Sequence, residues 1–168
     1  TLEQPPVSLV VDKSLNYGVS AEVIASNFKL FNNGQKQQYI LNAELLAVIF
    51  NGDYAKKKKA AEVAAEFNSA LILTPLKNII LKRKQLQLNN SILYFLLDII
   101  ESFAEKAADF SPLLKEIITQ ESDPWLKYHS LMAYQNTAVK DKNYQEFIKK
   151  IRKKEKEPVL LALKDQSF

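Results

Sequence analysis

Glycine placement constrains this chain more than any other sequence feature. The three glycines are Gly18, Gly34 and Gly52, so residues 53 to 168 are a stretch of 116 without one. Tight β-hairpins draw on glycine at the positive-φ positions of their turns, and a stretch this long without it points to helices. Prolines supply the punctuation instead. Thr74-Pro75 and Ser111-Pro112 each place a hydroxyl at an expected N-cap and a proline at the first helical position, where its missing N–H costs nothing. Asp123-Pro124 and Glu157-Pro158 read as two further starts, and Asp53 and Asn90 as caps ahead of apolar-periodic stretches.

These signals predict helices over 20–32, 36–51, 54–68, 74–86, 90–106, 111–121, 124–137, 141–154 and 158–164. The first 19 residues differ, because Pro5 and Pro6 precede the β-prone segment Val7-Ser8-Leu9-Val10-Val11, which reads as an extended arm. The expected organisation is an arm over 1–19 followed by one all-α domain over 20–168. A chain of 168 residues with 47% hydrophobic side chains can bury about 70% of its unfolded surface, so its core needs neither disulfide nor metal. The absence of cysteine excludes thiol catalysis, Cys-ligated zinc and iron–sulfur sites, and a single histidine, His129, excludes sites needing two imidazoles. We therefore expect no metal and no cofactor. No apolar run approaches the roughly 18–20 residues that span a bilayer. The first residue is Thr1 rather than Met, which fits a processed form or a piece of a longer chain. The expected compartment is the cytoplasm, with an exported mature form as the alternative.

Spacing between the helix starts is regular. Pro75 to Pro112 is 37 residues, Pro124 to Pro158 is 34, and Asp53 to Asn90 to Asp123 steps by 37 and 33. Such periods signal a repeat, here a helix pair: 36–51 with 54–68, 74–86 with 90–106, 111–121 with 124–137, and 141–154 with 158–164. Two second helices carry the same pattern. Asp53-Tyr-Ala-Lys-Lys57 leads to Ala60, Ala61 and Ala64, and Asp123-Pro-Trp-Leu-Lys127 leads to Ser130, Leu131 and Tyr134. In each, an Asp cap is followed four positions later by a base, then by small or apolar residues at seven, eight and eleven, with Leu45-Leu46 and Leu113-Leu114 in the helix before. This pattern resembles the second helix of HEAT repeats. The resemblance covers residues 36–137 closely and 138–168 loosely; the middle unit, from Asn90, lacks the basic residue. It implies an α-α superhelix, a solenoid of about four helix pairs, and a role as a scaffold for proteins or, in some branches, nucleic acids.

Apolar patterning fits this picture. In 90–106, Ile92, Leu93, Phe95, Leu96, Leu97, Ile99, Ile100 and Phe103 cover almost the whole circumference, as in a central helix. Asp98, Glu101 and Glu105 form its expected solvent strip. In 141–154 a narrow stripe of Tyr144, Phe147, Ile148 and Ile151 opposes a basic face.

Lysine clustering is the leading functional signal. Lys56, Lys57, Lys58 and Lys59 form one cluster, Lys82, Arg83 and Lys84 a second, and Lys149, Lys150, Arg152, Lys153 and Lys154 a third, in a chain of net charge +4. On a solenoid all three would fall along one edge and meet phosphates or another polyanion. The simpler reading is that they solvate exposed faces and helix C-termini. Arginine is limited to Arg83 and Arg152, which argues against reading base sequence, a task that favours the bidentate guanidinium. Asp123 beside Trp125 is the one pairing that admits an enzymatic reading, yet Asp123 is accounted for as an N-cap and Trp125 as a packing anchor. The expected function is a non-enzymatic scaffold for a protein partner, with Tyr54, Tyr94 and Tyr128 as candidate contacts. Non-sequence-specific nucleic-acid or polyanion binding through the lysines is the alternative.

Overall fold

The structure, a computed structural model, describes residues 29–138 and 141–154. The expected arm over 1–19, most of the helix over 20–32 and the helix over 158–164 lie outside these. Among the described residues the chain is all-α, with seven α-helices and no strand. They are α1 (Asn33–Asn51), α2 (Tyr54–Phe67), α3 (Leu73–Leu81), α4 (Asn90–Ser102), α5 (Ser111–Gln120), α6 (Pro124–Thr137) and α7 (Tyr144–Lys154), with 3₁₀ segments at Ala70–Ile72 and Ala104–Phe110. No helix among them is long and apolar enough to cross a membrane. The chain divides into two compact units, Thr1–Ile99 and Ile100–Phe168.

In the first unit α1 packs against α2 and the Ala70–Ile72 turn. A capping box starts α1: the Asn32 side chain accepts from the Gln35 N–H at 2.8 Å and the Gln35 side chain accepts from the Asn32 N–H at 3.0 Å. The helix thus begins at Asn33, three residues before the expected 36, because the Asn-x-x-Gln signal sits there. Gly52 ends it. Its N–H donates to the Val48 carbonyl at 2.7 Å, and a Cβ at this position would stand 2.7 Å from that same oxygen. Asp53 caps α2 as its sequence implies, accepting from the Lys56 N–H at 2.9 Å.

Leu46, Ile49, Ala64, Ile72, Leu76, Ile79, Ile80, Leu96 and Leu97 form the core of this unit, each at most 1% exposed. Asn42 is buried with them, and neither its amide nitrogen nor its oxygen has a hydrogen-bond partner. An unpaired buried amide carries its full desolvation penalty. Asn42→Leu keeps the branched shape and removes that penalty, so thermal denaturation should show a stabilisation of about 1 kcal/mol. A lowered midpoint would mean that the site cannot accept the added volume.

Two expected helix ends fall four or five residues early, and the helix expected from 141 begins at Tyr144. The helix over 74–86 begins at Leu73, runs out of the preceding 3₁₀ turn and stops at Leu81, so Thr74 is no N-cap. Lys82–Gln87 instead form a compact turn, with Gln87 at φ 53° and the Leu88 N–H donating to the Arg83 carbonyl at 3.0 Å. The helix over 90–106 ends at Ser102, because Ala104 takes the left-handed conformation at φ 50° and turns the chain into the 3₁₀ segment. At its start the side chain of Asn89, rather than Asn90, accepts from the Ser91 N–H at 2.9 Å.

In the second unit α5 and α6 form the most extensive pairing. Its core holds Ile100, Phe103, Ala107, Phe110, Leu113, Leu114, Ile117, Ile118, Leu126, Leu131, Ala133 and Tyr134. Ser111 is the first residue of α5 and not its cap, since the helix continues from the 3₁₀ segment; its hydroxyl donates to the Ala108 carbonyl at 2.8 Å. Asp123 caps α6 as expected, accepting from the N–H groups of Trp125 at 2.9 Å and Leu126 at 3.4 Å.

Candidate functional site

The three basic clusters differ once they are placed on helices. In α2, Lys56, Lys58 and Lys59 are exposed and Lys57 is half-buried. In the second cluster only Lys84 is exposed. Arg83 is 6% exposed, and its guanidinium donates to the Ile80 carbonyl at 2.9 Å. Arg83 is therefore withdrawn as a surface polyanion contact: it satisfies a carbonyl at the C-terminus of α3, and its fork faces protein rather than solvent. Lys82 is half-buried. In α7, Lys149, Lys150, Lys153 and Lys154 are exposed while Arg152 is half-buried near Tyr144. The opposing stripe is as read from sequence, with Ile148 buried and Tyr144, Phe147 and Ile151 half-buried.

Of the three candidate tyrosines, Tyr54 is 71% exposed at the start of α2, whereas Tyr94 and Tyr128 are half-buried. The Tyr54 ring lies 5.7 Å from Phe95, centroid to centroid, and together with Lys58, Ala61, Glu62, Ala65 and Asp98 the two rings line an open cavity of about 250 Å³. Tyr128 sits between two edge-on neighbours, with centroids 5.9 Å from Trp125 and 5.4 Å from His129. Trp125 does not act as the expected buried anchor, since 51% of it is exposed. Its position in the first turn of α6, beside Pro124, holds the indole at the end of the helix. Trp125, Tyr128 and His129 thus form a continuous aromatic ledge on one rigid element.

The acidic strip read along 90–106 is divided by the break at Ser102. Asp98 lines the Tyr54 cavity, Glu101 accepts from the Asn136 amide at 3.2 Å, and Glu105 lies beyond the end of α4.

One cluster has no counterpart in the sequence reading. The Tyr134 hydroxyl donates to Asp141 Oδ2 at 3.0 Å, and Lys115 Nζ pairs with the same oxygen at 2.6 Å. Tyr134 stacks on Tyr144 at 5.4 Å and meets Phe147 edge-on at 5.1 Å, with the Lys115 ammonium 5.6 Å from both the Tyr134 and Phe147 centroids. The Lys115 ammonium and then the Asn143 N–H hold the Asp141 carboxyl below the usual carboxylate range, while burial followed by the hydrogen bond to Asp141 pushes the Tyr134 phenol up. Both shifts favour an ionised Asp141 accepting from a neutral Tyr134. The arrangement ties α5, α6 and α7 together, and its ionisable groups are spent on one another. Lys115 and Asp141 are 26 residues apart, and no local spacing announces such a pair. No protein family, curated protein or solved structure matches the chain.

Proposed function

We propose that this chain is a non-enzymatic helical-repeat scaffold, a solenoid of HEAT-like helix pairs that binds another protein. Two hairpins support the repeat reading: α1 with α2 in one unit and α5 with α6 in the other, each with an Asp side chain capping the second helix. Function rests on one observation, the ledge of Trp125, Tyr128 and His129, where an indole is half exposed at the start of a well-anchored helix. Large amphipathic rings held on rigid elements lose little entropy on binding and are the residues that carry most interface energy.

Affinity capture with the whole chain as bait, compared with a Trp125→Ala variant of unchanged melting temperature, tests this. Proteins retained by the parent at physiological salt should bind the variant at least about tenfold more weakly, the loss that truncating an interface anchor brings. Equal retention by both, or no specific retention by the parent, overturns the reading.

A further inference from the structure

Helix electrostatics account for one lysine cluster and not for another. In α7, Arg152, Lys153 and Lys154 occupy the last turn, where cations meet the negative end of the helix dipole. In α2 the placement is reversed. Lys56–Lys59 begin three residues after the Asp53 cap, and no acidic side chain stands in the first turn. Among the described residues none of these four ammonium groups makes an ion pair, although Glu62 lies four residues after Lys58. Lys56 and Lys57 stand in the first turn, at the positive end of the helix, and Lys56 and Lys59 are a like-charge pair three residues apart, so the arrangement lowers the stability of α2. Solvating an exposed face does not require it, since the same lysines two turns later would serve equally well.

The second observation is Tyr54, exposed one turn ahead of Lys58 on the same helical face and sharing with Phe95 the open cavity that Glu62 and Asp98 also line. We propose that this end of α2 binds single-stranded nucleic acid without sequence preference, a base stacking on Tyr54 while flanking phosphates meet Lys56, Lys58 and Lys59. Aromatic platforms beside cationic tracks are how single strands are held irrespective of sequence. Lysine supplies point charges for phosphate without the bidentate fork that reads base edges. Glu62 and Asp98 keep phosphates of any source out of the cavity itself, so the base stacks at the cavity and the backbone runs along the exposed lysines outside it. A duplex keeps its base faces stacked away from Tyr54. The site stands apart from the Trp125 ledge and does not rest on the protein-binding reading.

The test is fluorescence anisotropy of a labelled mixed-sequence single strand of about 20 nucleotides, and of its duplex, against the whole chain at about 50 and 200 mM salt. Micromolar single-strand binding that weakens at least about tenfold between those salts is expected. Tyr54→Ala should weaken it about fivefold or more at either salt. Lys56→Gln with Lys58→Gln, which removes two positive charges without setting a carboxylate beside Glu62, should weaken it about fivefold or more at low salt while leaving the melting temperature unchanged. Three outcomes overturn the proposal: no single-strand binding at low salt, binding unchanged in both variants, or a duplex bound as tightly as the single strand. So does binding of phosphatidylserine vesicles with none of the oligonucleotide, which would make the lysines a membrane contact.

Discussion

Replacing Tyr134 by alanine should destabilise the second unit by about 4 kcal/mol, the range measured when large buried aromatics are truncated. Tyr134 has no exposed surface. Its ring is the common partner of Tyr144 and Phe147 from α7, and Lys115 of α5 sits over it. Truncation leaves a cavity at the point where three helices meet and withdraws the phenol from Asp141. Tyr134→Phe separates these contributions. It keeps the ring and removes only the hydroxyl, while Asp141 retains Lys115 and the Asn143 N–H, so a loss of about 1 kcal/mol is expected. Urea denaturation followed by circular dichroism reads both. An alanine variant within 1 kcal/mol of the phenylalanine variant would show that the ring cluster does not hold α7.

Arg83→Glu should cost about 3 kcal/mol or more. A carboxylate at a position 6% exposed cannot donate to the Ile80 carbonyl that Arg83 now satisfies, and it places a negative charge at a helix C-terminus. Lys84→Glu, one residue on and exposed, should stay within about 0.5 kcal/mol. The contrast matters for function. Reversing Lys82, Arg83 and Lys84 together, the natural test of a basic ridge read from sequence, would unfold part of the first unit and mimic a loss of binding. Equal melting temperatures for the two single variants would return Arg83 to the surface cluster.

Local chemistry made much of the architecture legible. The caps at Asp53 and Asp123 act through their own carboxylates on backbone N–H groups two or three residues away, an interaction contained within a four-residue stretch. The apolar positions of α4 are likewise a property of spacing: Ile92, Leu93, Leu96, Leu97, Ile99 and Ile100 are all buried. The α1 start was equally local, in Asn32 and Gln35, and a search for the capping box would have found it.

The candidate surfaces were legible as residue types and less so as surfaces. Lys56, Lys58, Lys59 and Tyr54 face solvent as a charged run and its neighbour would, while Lys57 is half-buried. Arg83 reads in sequence like its flanking lysines. The turn after Leu81 carries it inward, and nothing in Leu-Lys-Arg-Lys-Gln fixes that turn. Trp125 shows the converse, since its composition suggests burial and its place in the first turn of α6 exposes it.

The sequence by itself determined the all-α class, the order of the helices and the Asp-capped second helices, because helix capping and amphipathic periodicity act over a few residues. Tertiary structure decided where α3 and α4 stop. Glu101-Ser102-Phe103-Ala104-Glu105-Lys106 contains no helix breaker, yet Ala104 adopts φ 50°, with Phe103, Ala107 and Phe110 buried around the turn. A left-handed alanine costs about 1–2 kcal/mol, and burying two phenylalanines recovers more than that. Tertiary structure also assembled Lys115, Tyr134 and Asp141, whose pairing depends on three helices meeting in space and so leaves no trace in local spacing.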